Sequence, residues 1–95
     1  MKGESIPGGD WEAQVRGLRW KPSESGGSDA VVLSPKGKVV LGIMPHPNGH
    51  TFLSFYFSSA KDDYMTTFQE KDLGINPSGD RIQSEVLAIC RQHLA

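Results

Sequence analysis

Residues 30–57, AVVLSPKGKVVLGIMPHPNGHTFLSFYF, decide the fold, because two turn signals cut this apolar stretch into three strand-length runs. The runs are AVVLS (30–34), KVVLGIM (38–44) and TFLSFYF (51–57), rich in the β-branched and aromatic residues that suit a pleated surface. Between them stand Ser34-Pro35-Lys36-Gly37 and His46-Pro47-Asn48-Gly49, each with proline at the second turn position and glycine at the fourth. Proline presets φ for the turn, and glycine accepts the left-handed conformation that closes a bulged hairpin. Two such hairpins in series predict an antiparallel meander, with Pro45 marking where pairing stops.

Side chains alternate across a strand, so the meander is apolar on both faces. Leu33, Val39, Leu41, Ile43, Leu53, Phe55 and Phe57 are expected on one; Val32, Val40, Met44, Phe52 and Tyr56 on the other. Hairpin register, which the residues alone leave open, decides how the strands combine.

Toward the C-terminus, Ile82, Val86, Ile89, Cys90 and Leu94 fall on one stripe of a helix over 80–94. Asp80 and Gln83 have the spacing of a capping box, and Arg81 and Glu85 that of an i,i+4 ion pair. This helix covers one sheet face. Residues 58–72 fit a strand through Tyr64, Thr66 and Phe68, or a short helix capped by Ser59; the Thr66–Thr67 pair favours the strand.

Toward the N-terminus, WEAQVRGLRW (11–20) alternates as Trp11, Ala13, Val15 and then shifts phase to Leu18 and Trp20, which reads as a strand bulged at Gly17. KPSESGGSD (21–29) reads as a flexible loop, and residues 1–10 as a flexible tail. The expected class is α+β: one domain over 11–95, with a twisted antiparallel meander of four or five strands and one C-terminal amphipathic helix on one face.

The 95 residues, 37% apolar and 22% charged, suit a single small folded domain rather than a disordered chain. A formal net charge of −1 is unlike a strongly basic nucleic-acid binder. One cysteine, Cys90, excludes an internal disulfide framework, and with no apolar leader or membrane-length run the expected location is cytoplasmic.

No catalytic signature stands out. None of the ten serines sits in a G-x-S-x-G elbow, the glycine pairs at 8–9 and 26–27 lack the context of a phosphate loop, and Asp62-Asp63 reads as a solvated turn. His46 and His50 flank one turn, and Cys90 and His93 share a helix face; together they raise metal binding as a weak alternative, without a standard ligand spacing. No cofactor is expected.

One helix hides one face, so the other needs this chain, a second copy or another molecule. The favoured expectation is a non-enzymatic protein-interaction module, homodimeric through the uncovered face, with Trp20, Val40, Met44, Phe52 and Tyr56 as interface residues. The alternative is a single-stranded nucleic-acid binder, stacking bases on the aromatics while Arg16, Arg19, Lys21 and Lys38 track phosphates. Four strands followed by a C-terminal helix resemble the topology of coactivator-type and Whirly-type single-stranded DNA-binding domains, and that resemblance is one of fold alone.

Overall fold

A computed structural model describes residues 10–24, 26–61 and 64–95. The expected tail, apart from Asp10, and the Asp62-Asp63 pair lie outside the described residues. The elements in chain order are α1 (Trp11–Arg16), β1 (Lys21–Pro22), β2 (Ser28–Ser34), β3 (Gly37–Pro45), β4 (His50–Ser59), β5 (Gln69–Ile75) and α2 (Gly79–Leu94). The five strands form one antiparallel sheet in sequence order, which is the α+β meander expected, with the C-terminal helix on one face.

Both turns form where their chemistry places them. Gly49 has φ +91°, its N–H donates to the His46 carbonyl at 2.9 Å, and the His46 N–H returns to His50 at 2.8 Å. Gly37 has φ +148°, and a Cβ there would lie 2.1 Å from the Ser58 carbonyl oxygen, so no other residue fits.

The first turn also sets the register of β2. Ser34 pairs with Gly37, so Val32 pairs with Val39 and Leu33 with Lys38. This exchanges the two β2 residues relative to the faces expected: Val32 is fully buried under α2, and Leu33 lies on the opposite side, 47% exposed. The other face assignments stand. Ala30, Leu41 and Phe55 form one row of the covered face, Val39 and Phe57 another, Ile43 and Leu53 a third.

α2 supplies Val86, Ile89, Cys90 and Leu94 to the core, and Ile82 packs at its edge. Its N-cap is Ser78, whose hydroxyl accepts from the Arg81 N–H at 3.0 Å, rather than Asp80. Glu85 bonds Arg81 at 3.3 Å and Lys71 of β5 at 2.6 Å, which ties the helix to the sheet edge.

Three segments differ from expectation. Residues 11–16 are helical, not extended: the Asp10 carboxylate caps the Ala13 N–H at 3.1 Å, and Trp11, Val15 and Leu18 then recur at helical spacing against the core. The 21–29 stretch is a loop only in its middle, since Lys21 and Pro22 pair with Asp29 and Ser28. Between Ser59 and Gln69 the described residues make neither the short helix nor a regular strand. Thr66 bonds Phe57 through both its backbone N–H, at 3.0 Å, and its hydroxyl, at 2.9 Å. Regular pairing begins only at Gln69 and runs to Ile75, beyond the expected limit of the strand at residue 72.

The candidate interaction face

The helix-free face is built from cross-strand rows, and the register names each one. Val31, Val40 and Tyr56 make one row; Lys21, Asp29, Gly42, Ser54 and Glu70 the next; Met44, Phe52 and Asp72 a third; Leu33, Lys38 and Ser58 lie at the far end. Phe68, just before β5, is 58% exposed, and by alternation it shares the side of Glu70. Two apolar ridges, Val40–Tyr56 and Met44–Phe52, therefore flank a low row of Gly42 and Ser54. The Ser54 hydroxyl lies down in that trough, donating to the Gly42 carbonyl at 3.3 Å.

Charge is confined to the margins. The central strands β3 and β4 present Val40, Gly42, Met44, Phe52, Ser54 and Tyr56, none of them ionic. Asp29 sits on β2, Glu70 and Asp72 on the edge strand β5, and Lys38 at the end of β3. An uncharged centre with a polar rim is the anatomy of a protein interface.

The sheet edges, by contrast, are guarded. The Gln14 amide from α1 imitates a neighbouring strand, donating to the Leu33 carbonyl and accepting from the Leu33 N–H, each at 2.8 Å. β5 carries Glu70, Lys71 and Asp72 in succession. Two copies pairing edge to edge about a two-fold axis through any of these residues would set like charges directly opposite, which is unfavourable.

At the turn end of the face, the His50 Nδ1 lies 2.9 and 3.0 Å from the two Asp72 carboxylate oxygens. The Gly74 N–H and then His50 hold the Asp72 carboxyl below its usual range. The His46 ring lies 4.2 Å from that of Phe52. This His–Asp pair was not foreseen, because its partners are 22 residues apart and meet only through the β4–β5 register. It fixes the imidazole's orientation.

Other expected sites separate. Val40, Met44, Phe52 and Tyr56 come together on the helix-free face, but Trp20 does not join them; it packs against the core on the α2 side. His93 stacks on Phe57 with ring centroids 5.2 Å apart, seven residues along β4 from His50 and so about 23 Å away, which leaves the Cys-His set unassembled. Cys90 is fully buried and its thiol is pushed up to about 12 by desolvation. No group of three or more metal-ligating side chains converges among the described residues.

The basic residues also divide. Arg16 lines a cleft on the α2 side, whereas Lys21, paired with Asp29 and beside Arg19, sits at the β1 margin of the helix-free face and Lys38 at the end of β3. The aromatics of that face border β5, whose Glu70 and Asp72 set negative charge beside them. No described helix is long and apolar enough to cross a membrane. Comparison with protein-family models, with curated proteins and with solved structures finds no match to this chain.

Proposed function

We propose that this chain is a non-enzymatic interaction module that pairs with a second copy of itself through the helix-free sheet face. The observation that supports this reading is the uncharged, two-ridged centre, half-buried among its neighbours, of a face that no described helix covers. Patches of exposed apolar surface beyond a few hundred Å2 mark contact sites. Five strands spaced about 4.8 Å apart, of two to ten residues each at about 3.3 Å per residue, give a projected face of about 550 Å2. That is about two thirds of the roughly 800 Å2 each partner buries in a standard interface.

The relief is self-complementary. A two-fold axis crossing the strands between the Val40–Tyr56 and Gly42–Ser54 rows seats the ridge of each copy in the trough of the other. Such an isologous contact closes on itself and leaves no further patch to propagate. A domain of this size gains buried area cheaply by pairing. With a lone buried Cys90 and no disulfide to maintain, a reducing, cytoplasmic setting fits this role.

Gly42→Val tests the reading at the cost, within the monomer, of the long Ser54 hydroxyl bond to the Gly42 carbonyl. A Cβ at Gly42 meets only the Ser54 hydroxyl, at 2.9 Å, and the Asp29 carboxylate, at 3.4 Å, among side chains that can turn aside. The monomer should keep its fold while the filled trough weakens pairing, about tenfold or more, in gel filtration with light scattering. A variant that pairs as tightly as the parent sinks the ridge-in-trough reading. Phe52→Ala and Tyr56→Ala should likewise loosen association with the far-UV spectrum intact. Unfolding of either variant would move those residues into the monomer's own core.

A further inference from the structure

The geometry points to a second site, on the opposite side of the sheet, for a small apolar monocarboxylate. A cleft of ≈ 280 Å3 opens between α1, the segment after it, β3 and the start of α2. Val15, Leu18, Trp20, Ile43, Ile82 and Val86 wall it. At about 30 Å3 per water-sized group, it has room for about nine. Leu18, Trp20, Ile43 and Ile82 pack against the core while remaining partly open, so the lining is already ordered before anything enters.

The polar groups at this cleft are few and of one kind. Among the described residues Arg16 is the single charged residue of its lining, no acidic side chain lines it, and Arg16 has no carboxylate partner. Gln83 spends its amide N–H2 on the Val15 and Arg16 carbonyls at the end of α1, both at 3.5 Å, and so holds the guanidinium-bearing turn against α2. Gly79, the first residue of α2, places the positive end of that helix dipole at the same mouth. An apolar, half-open cleft with an unpaired guanidinium at its rim selects a tail-and-carboxylate ligand over a neutral or cationic one.

Titration of the isotopically labelled protein with sodium octanoate, and separately with 1-octanol, tests this. Octanoate should shift the amides of Ile43, Gly79 and Ile82 saturably, and 1-octanol should bind at least about tenfold more weakly, for want of the charged hydrogen bonds to Arg16. Arg16→Gln, an exposed change, should bring octanoate to the level of 1-octanol, and Ile82→Trp should fill the cleft and abolish both. No saturable shift at millimolar octanoate, or shifts centred on Val40 and Tyr56, overturns the site. Equal affinity in Arg16→Gln overturns the carboxylate assignment, and it does so whether or not Ile82→Trp folds. The outcome is independent of pairing through the other face, which Gly42→Val reports separately.

Discussion

The two faces of one sheet carry similar numbers of apolar residues and live by different rules. Under α2, Val32, Val39, Leu41 and Leu53 are buried to 1% exposure or less. On the far side Val31 and Leu33 remain 46% and 47% exposed, although they alternate with Val32 along the same strand. The covered face makes the fold, and the uncovered one is free to make contacts. What separates them is the cover of α2 and α1 on one side and the two-residue loop that sets β2's phase.

The sharpest break in that comparison comes from truncating one residue on each face. Leu53→Ala on the covered side should cost about 2–5 kcal/mol in urea unfolding, from lost burial and the cavity left behind. Val31→Ala on the uncovered side should cost well under about 1 kcal/mol in the monomer, since its side chain is already wet. Similar losses at both positions would erase the distinction between the faces.

Gln14→Ala is expected next in size. It strips two hydrogen bonds from Leu33, about 1–2 kcal/mol together, and bares the β2 edge. Light scattering should show concentration-dependent aggregation that the parent lacks. Ser78→Ala removes the α2 cap and should cost about 1 kcal/mol, read as a lowered unfolding midpoint without a change in paired mass.

The smallest effect is in pH. The hydrogen bond from Lys71, then that from Arg81, holds the Glu85 carboxyl below its usual range despite partial desolvation. Its folded value lies below its unfolded one, so the stability it contributes is full above the ordinary carboxylate range and is lost as pH falls through the depressed value. Glu85→Gln should flatten the acid limb of a stability–pH curve. An unchanged limb would place the acid sensitivity elsewhere.

The meander and α2 were readable because their signals are local. Pro-Gly turns and an i, i+4 apolar stripe act within a few residues of themselves. α1 was not, since Trp11, Ala13 and Val15 alternate with a period of two while Trp11, Val15 and Leu18 recur at helical spacing, and the Asp10 cap decides between them. β5 was misplaced because QEKDLGI is a charged edge strand, and its start is set by Thr66 binding Phe57 rather than by its own composition. Of the candidate face, Val40, Met44, Phe52 and Tyr56 followed from alternation. Val31 and Leu33 needed the β2 register, Asp72 with His50 needed the bulged β4–β5 ladder, and the trough needed Gly42 beside Ser54.

The central claim, that a second copy covers the helix-free face, is tested most directly by sedimentation equilibrium of the unmodified protein from one to a hundred micromolar. The account predicts a concentration-dependent rise to twice the 10.4 kDa chain mass and no further. A single species of 10.4 kDa throughout that range would contradict it.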